Sequence, residues 1–323
     1  MNEFELIERF FSRRSRSSSV HLGIGDDAAL VAPHANCELV VSVDMLVAGR
    51  HFFADAQPEA LGHKTLAVNL SDIAAMGALP RWALLAGALP TADESWLAAF
   101  ARGFFAVAER YRVELVGGDT TRGPLNLCVT IIGEVPTGRA LLRSGAAPGD
   151  DIYVSGRLGG AALGLAALQG RTTLTSDQLA HCRRRLDRPE PRVGLGLALR
   201  DIASAALDVS DGLTGDLAHI LERSRVGAIV DVAAVPRSPS LDAKLGGAER
   251  DLALSCLLAG GDDYELCFTA APARRNAIAA IAERERCRVS RIGTIIEGST
   301  LEFLDGNGDA ITAPAAFDHF ATA

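Results

Sequence analysis

Residues 206–212, with the sequence Ala-Leu-Asp-Val-Ser-Asp-Gly, lead from an apolar strand directly into carboxylates and a glycine. The amphipathic stretch that follows, Leu213 to Arg223, predicts a helix. A second apolar strand runs into glycine and aspartate at residues 115–119, Leu-Val-Gly-Gly-Asp. Apolar strands and amphipathic helices alternate along the rest of the chain, so the sequence predicts a mixed α/β protein.

Several other predicted elements bear on the placement of the carboxylates. Residues 39–44 predict a buried strand that ends at its aspartate, and residues 4–14 predict a short amphipathic helix. The segment 58–76 predicts a helix that starts with proline and has Gly77 as its stop. Residues 192–206 are also predicted to be helical.

The chain has 323 residues, of which 48% are hydrophobic and 22% charged, and this composition suits about two folded domains. Residues 143–150, Arg-Ser-Gly-Ala-Ala-Pro-Gly-Asp, form a break rich in glycine, proline and polar residues. We therefore predict an N-terminal domain at residues 1–137, a linker at 138–149 and a C-terminal domain at 150–323.

The composition also excludes some classes of partner. The 32 basic and 40 acidic side chains give a formal net charge of −8, which disfavours binding to a nucleic-acid backbone. The six cysteines include no C-x-x-C pair. The N-terminus carries acids where a signal peptide needs bases, and no apolar stretch approaches the roughly 20 residues that span a bilayer. We expect a cytoplasmic protein that binds neither nucleic acid nor membrane.

Acidic residues lie beside glycine or serine at the ends of predicted strands five times along the chain. A further carboxylate, Asp72, lies in the predicted helix three residues after Asn69, so the two side chains can share one face. The five clusters lie at residues 23–27, 42–44, 117–119, 208–211 and 260–265.

This pattern favours a site for metal ions and phosphate. Mg²⁺ is held by a few carboxylates together with phosphate oxygens and water, and glycine lets the backbone approach a phosphate closely. A single Gly-Asp pair usually marks only a turn. The repetition of the pattern at apolar strand ends, where α/β folds build their sites, predicts carboxylates that hold metal ions against a polyphosphate.

The usual nucleotide-binding and hydrolase motifs are missing from the sequence. There is no G-x-x-x-x-G-K-[ST] loop, no G-x-G-x-x-G after a strand, no protein-kinase signature and no G-x-S-x-G. Arg122 and Arg143 lie near glycine-rich segments, where either can meet a phosphate or simply face solvent. Any phosphate chemistry therefore depends on the carboxylate clusters.

Eight segments spread over essentially the whole chain are informative together. They are LGIGDDAAL (22–30), SVDMLVAGRHF (42–52), LAVNLSDIAAMGA (66–78), VGGDTTRGPL (116–125), GRALLRSGAAPGD (138–150), DVSDGLTGDL (208–217), GGDDYELCF (260–268) and FDHFA (317–321). Jointly they resemble the thiamine-monophosphate kinases. Taken singly, each segment also fits relatives in the same superfamily, such as aminoimidazole ribonucleotide synthetase or selenophosphate synthetase.

The resemblance implies a two-domain α/β (α+β) protein. The N-terminal mixed sheets would form a barrel shared by the two subunits of a homodimer, and the C-terminal domain would be sandwich-like. The implied reaction is ATP-dependent phosphorylation of thiamine monophosphate to thiamine diphosphate, by direct in-line transfer assisted by several Mg²⁺ ions. Because the acceptor is already an anionic phosphate, no general base or nucleophile is expected among the side chains.

Motif by motif, the resemblance also implies roles for individual residues. The residues that would hold Mg²⁺ are Asp27, Ser42, Val43, Asp44, Asp72, Asp119, Asp208 and Asp211. Those that would bind ATP are Gly118, Asp119, Arg143 and Ser210. Those that would contact thiamine monophosphate are His51, Asp262 and Phe317.

Three of these positions depart from the family's usual pattern. Val43 stands where Thr is common, Asp262 where Glu is common, and Phe317 where Trp or Tyr is common. Two alternatives stay open from the sequence: another enzyme of the superfamily, aminoimidazole ribonucleotide synthetase, and a nucleotide-sensing protein that binds Mg·ATP without turnover.

Overall fold

The structure of this chain, a computed structural model, describes residues 2–13, 15 and 17–315. Within them the chain forms two compact units. The first comprises the residues up to Ile73 together with Ala78–Ala140, and the second comprises Ala74–Gly77 and the residues from Leu141 onward. No helix in the described ranges combines the length and the apolar character needed to cross a membrane.

The first unit contains a sheet of four strands in the described part of the chain. In chain order, the elements of this region are α1 (Glu3–Leu6), β1 (Val20–Leu22), β2 (Leu30–Val31), β3 (Cys37–Val47), α2 (Pro58–Ala75), β4 (Leu79–Leu89), α3 (Glu94–Tyr111), β5 (Glu114–Arg122) and β6 (Asn126–Pro136). The strand order is β3-β6-β4-β5, with β5 parallel to β4 and the other pairs antiparallel. The sheet is therefore mixed, as predicted.

The predicted helix at residues 4–14 is shorter in the structure. Helix α1 continues as a π-helical turn, Ile7–Phe11, that buries Phe10 and Phe11. Ser12 then adopts an extended conformation, with φ −68° and ψ 126°, which ends the turn. The predicted helix is too long at its C-terminal end, where the serine and arginine residues carry no periodic apolar signal.

The strand that was predicted to end at Asp44 continues to Val47. Strand β6 pairs with β3 over its full length, and this partner, which the sequence does not reveal, sets where the strand stops. Because side chains alternate across a strand, Ser42 and Asp44 share one face of β3 and Val43 lies on the other. Asp44 is thus in the middle of a strand rather than at its end.

Helix α2 confirms the predicted stop at Gly77. The helix ends at Ala75, and Gly77 has a φ of +62°, a left-handed conformation that glycine adopts without strain. Asn69 and Asp72 lie almost one turn apart on this helix, so their side chains project from neighbouring positions. The buried positions Leu66, Leu70 and Ile73 hold the helix in the core of this region.

The second unit contains a seven-stranded sheet within the described residues. Its elements are β7 (Asp151–Ser155), α4 (Gly160–Leu168), α5 (Ser176–Asp187), α6 (Val193–Leu199), β8 (Ala205–Val209), α7 (Leu213–Ser224), β9 (Gly227–Asp231), α8 (Pro239–Leu245), α9 (Arg250–Leu258), β10 (Glu265–Ala270), α10 (Arg275–Arg284), β11 (Val289–Ile296), β12 (Leu301–Leu304) and β13 (Ala310–Ile311). The strand order is β13-β12-β9-β11-β7-β10-β8, and only the pair β12–β9 is parallel among the described pairs.

The predicted helix at 192–206 was wrong in its second half. Helix α6 ends at Leu199, and Ala205 already belongs to β8, which pairs antiparallel with β10. Between them, Asp201 has a φ of +63°, which breaks the helix. A short apolar run does not by itself distinguish a helix from a strand, and the pairing with β10 decides between them.

Several strand ends lie together at one end of this sheet. Strand β8 ends at Val209, opposite Glu265 at the start of β10. Strand β7 ends at Ser155, opposite Val289 at the start of β11. The loops that follow β7 and β8 and those that precede β10 and β11 therefore gather at this end.

At the other end of β7, Asp151 is buried and bonded to two arginines. Arg275 donates two hydrogen bonds to its carboxylate, both at 2.7 Å, and Arg291 donates one at 3.2 Å. The hydrogen bonds from Arg275 hold the pKa of Asp151 below its usual range, although burial acts in the opposite direction.

We expect Asp151→Asn to lower the free energy of unfolding by about 1–3 kcal/mol at neutral pH, because it removes charge-assisted hydrogen bonds to half-exposed arginines. Since the pKa of Asp151 is lower in the folded state, its contribution is present above the unfolded-state pKa and is lost as the pH falls through the lowered value. Urea unfolding of both proteins at about pH 7 and about pH 3 measures this. An equal difference at both pH values would contradict the assignment.

Candidate active site

Polar side chains of β3 and α2 meet at one place in the first unit. The Ser42 hydroxyl donates a hydrogen bond to the Asp72 carboxylate. The backbone N–H of Asp44 donates to Asn69 Oδ1 at 3.1 Å, and the Asn69 amide nitrogen donates to the carbonyl of Thr65 at 3.0 Å. We call Ser42, Asp44, Asn69 and Asp72 the β3–α2 group. Its side-chain oxygens are the ligand type that Mg²⁺ prefers, so the group fits such an ion.

The side chain of Val43 takes no part in the β3–α2 group. It lies on the opposite face of β3 and is 59% exposed, so the only oxygen that this residue can offer a metal ion is its main-chain carbonyl. The replacement of the family's usual Thr by Val therefore leaves the side-chain oxygens of the group unchanged.

His51 lies in a tight turn directly after β3. Its backbone N–H donates to the carbonyl of Val47 at 2.9 Å, and the backbone N–H of Val47 donates to His51 Nδ1 at 3.0 Å. Gly49 has a φ of +79°, which permits the turn. Because Nδ1 accepts a hydrogen bond, the imidazole is held in the tautomer that carries its proton on Nε2.

A cavity of about 660 Å³ in the first unit brings two of the glycine–aspartate clusters together. Asp27 lines it from the segment at residues 23–29, and Gly118 and Asp119 line it from β5. Gly118 has a φ of +154°, and a Cβ at this position would lie 1.8 Å from the carbonyl oxygen of Leu85. Only glycine fits there, because β5 lies so close to the backbone of β4 at this point.

The wall of this cavity also contains apolar side chains, among them Leu85, Trp96 and Phe100. Small-molecule sites combine such apolar walls with a few placed polar groups. The cavity therefore suits a ligand that has both an apolar ring and a negatively charged part. The carboxylates of Asp27 and Asp119 are exposed, so a cation bound to that part of the ligand can reach them.

In the second unit, Asp208, Ser210 and Asp211 lie where β8 leads into α7. Asp208 is buried at the end of the strand, and Asp211 is exposed. Gly212 follows with a φ of +108°, and a Cβ there would lie 2.6 Å from the carbonyl carbon of Ala259. The turn from strand to helix thus requires glycine next to Asp211.

Asp216 fixes this turn from within α7. Its Oδ2 accepts the backbone N–H groups of Ser210 at 3.1 Å and of Asp211 at 3.0 Å. Burial raises the pKa of Asp216 to about 7, although these hydrogen bonds from the backbone act in the opposite direction. Sequence analysis did not identify Asp216 as a functional residue. The available signal was an acid in the first turn of a predicted helix that starts next to a carboxylate cluster.

The loop before β10 packs against the same turn. The backbone N–H of Asp262 donates to the carbonyl of Ser210 at 2.9 Å, and that of Tyr264 donates to the carbonyl of Val209 at 2.8 Å. Asp262 and Tyr264 both have positive φ values, +66° and +50°, and such strained residues cluster at functional sites. The Tyr264 hydroxyl donates to Asp262 Oδ1 at 3.2 Å, which orients the shorter acid at this position.

Two other predicted site residues remain. Arg143 is exposed, and its carbonyl accepts a hydrogen bond from Ser224 Oγ at 3.3 Å, which anchors the backbone next to its side chain. Phe317 lies outside the described residues.

The structure thus places the predicted residues in separate groups. Ser42, Asp44 and Asp72 form one, Asp27, Gly118 and Asp119 line the cavity, and Asp208, Ser210, Asp211 and Asp262 lie at one end of the second sheet. Within residues 2–13, 15 and 17–315, no three His, Cys, Asp or Glu side chains are close enough to hold a metal ion by themselves. Mg²⁺ sites that rely on substrate phosphates use only one or two carboxylates each. The few carboxylates in each of these groups fit a site of that kind.

The class of protein follows from two family matches. The family model for the N-terminal domain of AIR synthase related proteins matches residues 25–135. The model for their C-terminal domain matches residues 147–305. Similarity to curated relatives identifies the family within this class. The thiamine-monophosphate kinase of Salmonella typhimurium is 48% identical over 326 residues, and that of Escherichia coli K12 is 47% identical, each over 99% of this chain and 98% of the relative.

The chain belongs to the thiamine-monophosphate kinase family, and it is a kinase. Solved structures of thiamine-monophosphate kinases are also similar to this chain. The thiamine-monophosphate kinase from Stenotrophomonas maltophilia is 50% identical, with a TM-score of 0.86 over 96% of this chain and 98% of that one. AaThiL complexed with AMPPCP and TMP is 30% identical, with a TM-score of 0.78 over 90% of this chain and 89% of that one. The hydrogenase maturation protein HypE, at 21% identity and a TM-score of 0.77, shares the fold.

Proposed function

We propose that this chain phosphorylates thiamine monophosphate to thiamine diphosphate, with ATP as the phosphoryl donor. The relatives that match it end to end bear the name of this activity. The AaThiL structure holds AMPPCP and TMP, an ATP analogue and the acceptor. The structural observation that supports the proposal is the β3–α2 group: the Ser42 hydroxyl donates to the Asp72 carboxylate, and Asp44, on the same face of β3 as Ser42, is bonded to Asn69 through its backbone N–H.

The transfer is a direct in-line displacement. A phosphate oxygen of the acceptor bonds to the γ-phosphorus of ATP while the bond from that phosphorus to the β,γ-bridging oxygen breaks, and ADP leaves with the electron pair. The acceptor phosphate is anionic near neutral pH, so no side chain has to remove a proton from it. The residues therefore have two tasks, to align the two phosphates and to reduce the repulsion between them.

The Mg²⁺ ligands in this proposal are Asp27, Ser42, Val43 through its carbonyl, Asp44, Asp72, Asp119, Asp208 and Asp211. These residues would hold Mg²⁺, which when bound would supply positive charge to offset the charge on the substrate phosphates. Gly118, Asp119, Arg143 and Ser210 bind ATP, with Gly118 giving the close backbone approach and Arg143 a cationic contact. His51, Asp262 and Phe317 contact thiamine monophosphate, in which the ring of Phe317 can stack on an aromatic part of the substrate.

The β3 strand supports a homodimer. On the face opposite the β3–α2 group, its side chains Leu39, Val41, Val43 and Met45 are between 48% and 60% exposed. A contiguous apolar stripe of this kind marks an interface. We propose that the N-terminal domain, residues 1–137, pairs through this stripe with a second copy to form the shared barrel, while the linker 138–149 leads to the C-terminal domain 150–323.

A charge in the stripe is expected to split the dimer. In sedimentation equilibrium we expect the wild type to have twice the mass of the chain and Val41→Glu to have the mass of one chain, because an ionised side chain cannot be buried there without a partner. Leu142→Glu, a charge at another exposed apolar position, is the matched control and should leave the dimer intact. A monomeric wild type would contradict the proposed dimer.

His51→Ala is expected to raise the apparent KM for thiamine monophosphate about tenfold or more and to change that for ATP by less than about twofold, because the lost contact is to the acceptor. Steady-state kinetics with each substrate varied in turn measures this. His63→Ala, at a helical histidine twelve residues away in sequence, serves as the control. A larger effect on the KM for ATP would contradict the role of His51.

The proposed function is tested by release of ADP in a coupled assay. With Mg²⁺ present, we expect ADP to form with thiamine monophosphate and to stop when that acceptor or the Mg²⁺ is left out. Aminoimidazole ribonucleotide synthetase activity predicts ADP release with that enzyme's own substrate instead. Binding of Mg·ATP without ADP release under any of these conditions would show a nucleotide sensor and would overturn the proposal.

A further inference from the structure

The second unit contains a further cavity of about 530 Å³ whose lining is strongly basic. None of its lining residues is among those proposed to bind ATP, Mg²⁺ or thiamine monophosphate. It lies at the end of the sheet where β7 ends and β11 begins. We call it the arginine cavity. It is lined by Gly156, Arg157, Arg184, Arg185, Arg188, Glu190, Arg192, Arg286, Cys287 and Arg288.

The arginines reach the cavity from three separate parts of the chain. Arg157 follows β7, four others come from the run Arg-Arg-Arg-Leu-Asp-Arg-Pro-Glu-Pro-Arg at residues 183–192, and two come from the segment before β11. The antiparallel pairing of β7 with β11, with Ser155 opposite Val289, brings the first and last of these together. A chain with a net charge of −8 thus concentrates seven arginines and a single lining carboxylate in one concave place.

Only part of this positive charge is neutralised inside the protein. Arg192 donates two hydrogen bonds to the buried carboxylate of Glu265, at 2.6 and 2.5 Å, and Arg185 lies 3.8 Å from the same carboxylate. Within the described residues, neither Arg157 nor Arg286 lies within ion-pair distance of a carboxylate. The pair of Arg192 and Glu265 therefore lies in a cavity in which the charges of at least Arg157 and Arg286 are not neutralised by a carboxylate of the described residues.

The positive charge of the arginine cavity contributes to lowering the pKa of the neighbouring His181. His181 lies on α5, and its pKa is lowered first by burial and then by the nearby Arg184, Arg185 and Arg157. Arg184 Nη2 lies 3.4 Å from His181 Nδ1, so even this imidazole serves as an acceptor for an arginine. Like charges held this closely repel one another, and an anion bound among them removes the repulsion.

The volume of the cavity and the chemistry of its lining together limit the chemical class of the ligand. A cavity of this volume admits a small molecule, and the overall negative charge disfavours a nucleic acid or an acidic membrane surface as the partner. Arginine binds phosphate through paired N–H donors. Several arginines from three separate segments match an anion that carries more than one phosphate group rather than a single one.

We propose that the arginine cavity binds a small polyphosphate anion of the diphosphate or triphosphate class. Binding there needs no metal ion, because the arginines themselves supply the positive charge. The carboxylate groups of the proposed transfer site, in contrast, repel a polyphosphate when no divalent cation is present. This difference allows the two kinds of binding to be measured separately, whatever the outcome for the proposed function.

The test is isothermal titration calorimetry of the whole protein with inorganic pyrophosphate, in buffer that contains EDTA and little salt. We expect saturable binding to the wild type and binding at least about tenfold weaker for inorganic phosphate, since one phosphate makes fewer paired contacts. Binding should weaken as the salt concentration rises. Thiamine diphosphate and ADP, titrated under the same conditions, show whether an organic diphosphate is preferred to the inorganic one.

The variant Arg184→Gln/Arg188→Gln tests whether the heat of pyrophosphate binding comes from the arginine cavity. We expect it to bind pyrophosphate about 100-fold more weakly, because each lost charge-assisted contact costs roughly tenfold in affinity. Arg250→Gln/Arg274→Gln removes the same charge from exposed positions outside the cavity and should bind as the wild type does. Thermal melting and the ADP assay show that all variants are folded. No binding by the wild type in EDTA, equal affinity for phosphate and pyrophosphate, or unchanged affinity of the cavity variant would each overturn the proposal.

Discussion

Replacing Asp72 by Asn is expected to lower turnover by about 10³-fold or more while the protein stays folded. Asp72 accepts a hydrogen bond from Ser42 across the β3–α2 group. The amide keeps the shape of the side chain and an oxygen that can accept this bond, but it removes the negative charge that attracts a divalent cation. Steady-state kinetics in the coupled ADP assay measures the loss, and thermal melting measures the fold.

Matched variants separate the role of Asp72 from a general effect of charge. Asp44→Asn removes a second carboxylate of the same group and should cause a loss of similar size. Asp55→Asn makes the same change at an exposed loop position and should leave turnover unchanged. Near-normal turnover in both Asp44→Asn and Asp72→Asn would remove the β3–α2 group from the reaction.

The second large effect is expected at Asp216. Asp216→Ala leaves the backbone N–H groups of Ser210 and Asp211 without their acceptor, and we expect the free energy of unfolding to fall by about 2–4 kcal/mol. The turn that carries Asp211 then loses its fixed position, and a displacement of this kind lowers turnover by about 10²-fold. Urea unfolding and the ADP assay measure the two effects.

Asp216→Asn is the informative comparison, because its side-chain oxygen still accepts backbone hydrogen bonds. Since burial raises the pKa of Asp216 to about 7, the neutral amide avoids the cost of a buried charge above that pH. We therefore expect Asp216→Asn to be at least as stable as the wild type above about pH 7 and to keep most of its turnover. An equal loss of turnover in the Ala and Asn variants would show that the charge matters, not the hydrogen bonds.

Local signals in the sequence predicted the elements whose ends they mark. The left-handed Gly77, the predicted stop, ends α2. Asp93 is a local signal of the same kind, because its side chain accepts the backbone N–H groups of Ser95 and Trp96 at the start of α3. The clusters of acid and glycine remain predictions of where ligand-binding residues lie. At Gly118 the structure gives a structural reason for the glycine, since a Cβ there would lie 1.8 Å from the carbonyl oxygen of Leu85.

Properties that depend on pairing between distant segments were not predictable in this way. Strand β3 continues beyond Asp44 because it pairs with β6 over its full length. The last residues of the helix predicted at 192–206 belong instead to β8, because they pair with β10. The arginine cavity arises in the same manner, since strand order brings Arg157, Arg184 and Arg286 together from distant positions. Asp216 was missed because its role is to accept hydrogen bonds from a turn, which a single sequence does not show.

We propose that the aspartates bind divalent cations between two phosphate-bearing substrates. Electron paramagnetic resonance of Mn²⁺, titrated in the presence of a non-hydrolysable ATP analogue and thiamine monophosphate, counts the bound ions directly. We expect the wild type to bind more than one Mn²⁺ per chain and Asp72→Asn, although folded, to bind fewer. The same number of ions, bound with the same affinity, in the wild type and in Asp72→Asn would contradict it.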